Sequence, residues 1–323
     1  MTTISVCTLA KGRARHLENL VAGLRQSERP PRELIVAVMQ RRRYQLPEAS
    51  FPIRQVMVAD SLADETELCL ARGRNAAAEA ASGDLLVFLD ADCIPGPSLL
   101  DDYAAAAAAT HGGVLIGDVG YLAKGDSDRG VDFARFAETA VRHPERSDRP
   151  ETAVAACEGL PLIWSLNFAI TAREFRALGG FDERYVGYGG EDADFLRTVR
   201  ERNAPIWWLR GATAFHQFHP HHVPPVHHLD AVVANARRYE EKWGEPAMEQ
   251  WLRAFTLMGL VRREGDGWRK LRDPGEADYA VTRQQELLPC ASGAQVLRWL
   301  EERAVRRIDG KPGDCGNAST AAA

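Results

Sequence analysis

The sequence predicts an α/β protein with a mostly parallel sheet and helices on both faces. Three observations carry that prediction. Short apolar runs of strand length, at residues 4–9, 33–39, 53–58 and 85–89, alternate with segments whose apolar residues recur at helical spacing. The run at 85–89 is too short for a buried helix and has the unbroken apolarity of a strand covered on both faces. It also leads straight into Asp90 and Asp92, at the strand end where a parallel sheet places its ligands.

Residues two apart in extended chain point the same way, so these two carboxylates are expected to face one space. Such a pair repels itself unless a positive charge lies between, and a divalent cation carrying a phosphate supplies one. Pro95 and Pro97 are expected to end the strand and hold the chain open. The competing reading is that one Asp caps the next helix and the other is solvated.

Taken in order, residues 4–9 form the first strand, and Lys11-Gly12-Arg13 a turn. Leu17, Leu20, Val21 and Leu24 then mark a helix that Pro30-Pro31 end. Strands follow at 33–39 and 53–58, and an alanine-rich helix at 68–81 closed by Ser82-Gly83. Thr8 to Arg13 and Arg72-Gly73-Arg74-Asn75 sit at helix or loop entrances, where basic groups and free amides favour an anion such as a diphosphate. A solvated surface arginine is the alternative for each. Residues 97–109 read as helix and 114–122 as one strand. Residues 123–152 read as a mobile loop with a short helix near 131–141, and such loops often act as lids. Residues 164–170 read as strand, with a capping-box spacing from Thr171 to Glu174 starting the next helix.

Tyr188-Gly189-Gly190-Glu191-Asp192-Ala193-Asp194 is the second unusual stretch. Acids suit a helix N-terminus, but three of them behind two glycines, beside Tyr185 and Tyr188, look more like a site for a polar substrate. A strand at 206–209 precedes a histidine-rich segment, in which six of the nine histidines fall between residues 216 and 228. That density raises the odds that one binds metal, although no nearby cysteine suggests a separate zinc site. Beyond residue 229 the sequence predicts helices at 229–243 and 249–257 and a hairpin around Gly265-Asp266-Gly267. A final amphipathic helix at 295–307 and a disordered tail at 309–323 follow.

Composition bounds the rest. The chain has 323 residues, 45% hydrophobic and 26% charged, with a net charge of −5, which gives no reason to expect nucleic acid. No window offers about 18 uninterrupted apolar residues, so no membrane span is expected. The six scattered cysteines read as reduced, and together with the absence of a basic, apolar leader they predict a cytoplasmic protein.

With these pieces in place, the chain resembles the family 2 glycosyltransferases of the GT-A, Rossmann-like fold. Three blocks carry the resemblance: Ser5-Val6-Cys7-Thr8-Leu9, then residues 71–78 with Leu89-Asp90-Ala91-Asp92, then Gly179-Gly180-Phe181-Asp182 through Gly189-Gly190-Glu191-Asp192. The last is similar to a galactosyltransferase-type signature, with Tyr188 where Trp is usual. Phe215-His216-Gln217 is similar to the Tyr-His-Gln of bacterial chondroitin-type polymerases. The resemblance implies a catalytic domain at 1–225, followed by a mainly helical extension at 226–308.

It also implies an inverting transfer of a galactose- or glucose-type hexose from a nucleotide-sugar, UDP-linked, to a hydroxyl acceptor, with a divalent cation, Mn or Mg. By position, Asp92 and His216 would ligate the cation, with His219 as a second candidate. Asp90 would contact the ribose or the cation, and Thr8 and Arg74 the nucleotide. Asp192 would act as general base, and Glu191 would hold the acceptor. The strand end Val38-Met39-Gln40 departs from the family, which often has base-reading acids there. Two rival readings are a nucleotidyltransferase, which would leave the Gly-Gly-Glu-Asp block without a role, and a non-catalytic carbohydrate-binding module.

Overall fold

The computed structural model describes residues 2–58, 68–146, 149–157, 164–265, 267–283 and 293–308. The elements run β1 (Ile4–Ala10), α1 (Ala14–Leu24), β2 (Glu33–Val38), β3 (Ile53–Met57), α2 (Leu70–Ala80), β4 (Leu85–Leu89), β5 (Cys93–Pro95) and α3 (Leu99–Ala109). Then come β6 (Val114–Ile116), β7 (Val119–Tyr121), α4 (Phe133–Thr139), β8 (Val154–Ala156), β9 (Asn167–Thr171), α5 (Ala172–Leu178), α6 (Glu191–Glu201), β10 (Ile206–Leu209) and β11 (Ala214–His216). The last part holds α7 (Leu229–Trp243), α8 (Glu249–Leu257), the hairpin β12 (Val261–Glu264) and β13 (Gly267–Lys270), α9 (Glu276–Thr282) and α10 (Gly293–Ile308).

Eight strands form the main sheet in the order β3-β2-β1-β4-β9-β6-β10-β8. The first four are parallel, and β9 runs antiparallel to both β4 and β6. Alternation along the strands explains why they are apolar throughout. Val6, Val36 and Val87 pack on one face with Leu17, Leu20 and Tyr103 from α1 and α3. Cys7, Ile35 and Phe88 pack on the other with Ala77, Phe175 and Phe195 from α2, α5 and α6. With both faces covered, each residue of such a strand meets core, which is what a hydrophobic run of period one requires. The α/β class with helices on both faces is therefore what the chain adopts.

A second, three-stranded sheet, β5-β11-β7, builds one wall of the site. It revises two expectations. Residues 114–122 are not one strand: the chain leaves the main sheet at Gly117-Asp118, so β6 and β7 lie in different sheets. Gly117 is pressed so closely that a Cβ there would lie 2.4 Å from the Ala212 carbonyl oxygen, and buried Asp118 accepts from Arg149. Pro95 does not stop the chain's pairing but ends the edge strand β5, where a missing N–H is tolerated.

The strand expected at 164–170 begins only at Asn167, and β8 and α9 had no clear signal. The short helix expected near 131–141 is α4, capped by Asp132 accepting from the Arg135 amide. The stretch expected as a mobile loop also carries buried Arg146, which donates to the Gly117 carbonyl at 2.9 Å. The helices beyond residue 226 have their own apolar cluster around Val232, Leu252 and Phe255. Asp266 of the hairpin turn and the tail at 309–323 lie outside the described residues. No helix among the described residues is long and apolar enough to cross a membrane.

At the opposite end of the sheet from the site, Glu33 is buried and accepts from the Ser82 amide, the Ser82 and Ser5 hydroxyls, and Arg54. Burial alone would raise its pKa, but these hydrogen bonds, led by Ser82, outweigh it and hold the carboxyl at about 2. Its stabilising contribution is present above the ordinary carboxylate range and is lost as pH falls toward 2. Glu33→Ala should cost about 2–3 kcal/mol in urea unfolding at pH 7, since several charged hydrogen bonds go with it. The gap from the natural protein should narrow at pH 4 and below.

Candidate functional site

The chain does not stay extended beyond β4: the Cys93 amide donates to the Asp90 carbonyl at 2.8 Å, closing a turn at Asp90-Ala91-Asp92. The expectation that the two carboxylates point the same way as strand neighbours is therefore replaced by separate partners for each. Asp90 accepts from Arg74 Nη2 at 3.2 Å. Asp92, only 5% exposed, faces two imidazoles and Arg13. His216 Nε2 lies 3.6 Å from its Oδ1, and His219 Nε2 lies 3.4 Å from its Oδ2.

Sheet register brings these distant residues together. In the β5–β11 pairing His216 stands opposite Cys93, one residue from Asp92. The Gln217 amide then donates to the Asp92 carbonyl at 2.8 Å. Gln217 is itself fully buried, accepting from Asn19 at 2.7 Å and donating to the His16 carbonyl at 3.0 Å. One carboxylate oxygen and two imidazole nitrogens thus lie within 4.8 Å of one another. Asp90 is outside this cluster.

Burial pushes the His216 imidazolium down to about 4 even with Asp92 beside it, so its ring is neutral at pH 7 and keeps a free lone pair. Burial would raise Asp92, but His216, His219 and Arg13 outweigh it and hold the carboxyl well below the usual range. With His216 neutral, the permanent charge beside Asp92 at pH 7 is the Arg13 guanidinium. The donor set of one carboxylate and two imidazoles fits a divalent cation.

Arg74, on α2, links this region to the second block. Its Nη1 donates to Glu191 at 3.1 Å while Nη2 holds Asp90, and the guanidinium lies 5.3 Å from the Phe181 ring centre. Glu191 and Asp192 open α6 behind Gly189 and Gly190, whose φ angles of 85° and 93° favour glycine. Asn235 on α7 donates to the carbonyls of Val186 and Gly189 at 2.9 and 2.8 Å, fixing that turn. Tyr188 stacks on His228 at 4.7 Å and on Trp251 at 5.8 Å.

Half-buried Asp192 accepts from the Ala193 amide at 2.8 Å. Burial first, and then Glu191, push its carboxyl up to about 7, against Arg74. Burial, Asp92 and Glu191 push Asp90 to about 6, again against Arg74. The Thr8 hydroxyl, buried on β1, has no partner among the described residues. The structure therefore groups Asp92 with His216 and His219, and Asp90 with Arg74 and Glu191. The brace from Asn235 was not singled out in the sequence, and Arg13 only as part of the basic Thr8-to-Arg13 stretch expected to favour an anion.

Comparison with known proteins gives three findings. The chain matches a family model for glycosyl transferase family 2 over residues 63–155, and one for the N-terminal domain of galactosyltransferase over residues 159–222. It is 28% identical over 193 residues to validoxylamine A glucosyltransferase of Streptomyces hygroscopicus subsp. jinggangensis (strain 5008), covering 54% of this chain and 44% of that one. The counterpart from S. hygroscopicus subsp. limoneus is also 28% identical, with 54% and 41% covered. The chain thus spans less than half the length of these curated relatives.

Among solved structures, S. aureus TarS 1-349 in complex with UDP-GlcNAc is similar with a TM-score of 0.50, at 15% identity, covering 79% of this chain and 71% of that one. The two family matches follow one another along the chain, so residues 63–222 are similar to family 2 and galactosyltransferase-type glycosyltransferases, and the fold is of the GT-A type.

Proposed function

We propose that this chain transfers a hexose from a nucleotide-diphosphate sugar to a hydroxyl acceptor, with inversion and with the help of a divalent cation. The observation that carries the reading is the convergence of Asp92, His216 and His219 beside a second group, Asp90-Arg74-Glu191-Asp192. UDP is the first donor nucleotide to test. Glucose is the first sugar, since the curated relatives are glucosyltransferases by name. Residues 1–225 are assigned as the catalytic unit and 226–308 as an extension that braces it through Asn235 and Trp251. The four cysteines among the described residues, Cys7, Cys69, Cys93 and Cys157, form no disulfide, which suits the reducing cytoplasm.

Asp92, His216 and His219 would hold the cation. When bound, it would neutralise the charge that develops on the leaving diphosphate. Thr8 would offer its unpartnered hydroxyl to the nucleotide, and Asp90, held by Arg74, would face the ribose. Glu191, also fixed by Arg74, would orient the acceptor. Asp192 would take the proton from the acceptor hydroxyl, on the face opposite the leaving group. A base with a pKa near neutrality suits that role, because it is ionised at working pH and still basic enough to accept the proton.

Asp192→Asn should lower the rate of UDP release from UDP-glucose in the presence of acceptor by about a thousandfold. UDP affinity, measured by calorimetry, should stay within a few-fold. Because the base must be ionised, the natural protein's rate should rise with pH through a group at or below about 7, and the variant should lack that limb. Full activity in Asp192→Asn would overturn the base assignment.

Arg74→Met should destabilise the fold by about 3 kcal/mol, since it leaves buried Glu191 and partly exposed Asp90 without their cation. Asp90, already pushed up to about 6 by burial against the pull of Arg74, would rise further without it, so stability falls as pH rises. Urea unfolding should show a larger loss at pH 8 than at pH 5.

A further inference from the structure

We propose that Arg13 couples cation binding to diphosphate binding: its guanidinium sits on the Asp92 oxygen that the cation needs, and passes to the phosphates when the cation takes that oxygen. The inference rests on the reading of Asp92, His216 and His219 as cation ligands. Arg13 Nη1 donates to Asp92 Oδ2, the oxygen that also lies 3.4 Å from His219 Nε2. Its Nη2 lies 3.3 Å from His219 Nδ1. A cation shared by Asp92 and His219 would meet this guanidinium within contact distance, and two positive charges cannot share one partly buried oxygen.

The backbone beneath Arg13 is fixed, while its side chain is partly open to solvent. Gly12 donates to Gln40 Oε1 at 2.9 Å and accepts from the Tyr44 hydroxyl at 2.7 Å. Arg13 itself holds a left-handed φ of 51° at the start of α1. Its side chain is 41% exposed, against 7% for Asp92. The fork of a guanidinium matches phosphate oxygens as well as it matches a carboxylate, so the diphosphate is the partner to which it would move. Arg13 thereby acts as a positioning residue that disfavours cation without nucleotide.

The test is Mn²⁺ titration followed by the EPR signal of the free ion, with and without UDP. It uses the full chain and its Arg13→Gln, Arg13→Lys and Asp92→Asn variants. The natural protein should bind Mn²⁺ at least tenfold tighter with UDP than without. Arg13→Gln should bind Mn²⁺ alone about tenfold tighter than the natural protein, and UDP should then add less than threefold. Arg13→Lys, which keeps the charge, should fall between. The proposal is overturned if Arg13→Gln binds Mn²⁺ alone no tighter than the natural protein, or keeps the full effect of UDP. If Asp92→Asn binds Mn²⁺ as the natural protein does, the ligand assignment itself is wrong, which separates that failure from one confined to Arg13.

Discussion

A carboxylate at the closed end of a buried strand needs a positive partner, because desolvation disfavours its charged form by far more than a fold can spare. β4 ends in two such groups within three residues, and the surrounding elements are placed to answer them. Arg74 reaches Asp90 from α2. Arg13 reaches Asp92 from the turn before α1. Because Arg74 also grips Glu191, a single guanidinium sets the distance between the strand end and the start of α6, whose residues are separated from β4 by about a hundred positions in the chain. Helix α2 can bring that guanidinium close because its inward face is alanine, which lets it lie tight on β1 and β2.

The imidazole side of the site depends on a different constraint. His216 reaches Asp92 only because β11 pairs with β5, and β5 exists only because the chain turns sharply after Asp90 instead of continuing the main sheet. Gln217 makes the register unambiguous. Its amide is bonded to the Asp92 backbone, and its side chain is satisfied inside the core by Asn19 and the His16 carbonyl. A slip of one residue would bury that amide unpaired and turn His216 away.

Much of this was legible in the sequence, for identifiable reasons. The strands β1, β2 and β4 announce themselves because burial on both faces leaves no polar positions, and the helices between them have room for a clear period. The Gly-Gly-Glu-Asp block is legible because glycines at left-handed φ and acids at a helix start have few other uses. What sequence could not supply was the pairing of short elements across the chain. β5, β7, β8 and β11 are three residues long, too short for any periodicity to register. The break at Gly117 is dictated by the Ala212 carbonyl, nearly a hundred residues away. Arg13 could be read only as part of a basic stretch that favours an anion, and its partner Asp92 came from the fold.

The three acids at the start of α6 show why residue type alone underdetermines a role. The helix dipole treats them alike, and position in the sequence barely separates them. Their partners do. Asp194 is fully enclosed, accepting from Lys242, Trp243 and the Tyr185 hydroxyl, and so fastens α6 to α7. Glu191 is committed to Arg74. Asp192 accepts from its neighbour's amide and from no side chain among the described residues, and it is the half-buried member of the three. A carboxylate without its own ion pair in a partly dry place is a stronger base than one in water, and the packing that consumes Glu191 and Asp194 is what leaves Asp192 so. The glycines at left-handed φ and the Asn235 brace shape the turn from which Asp192 starts α6.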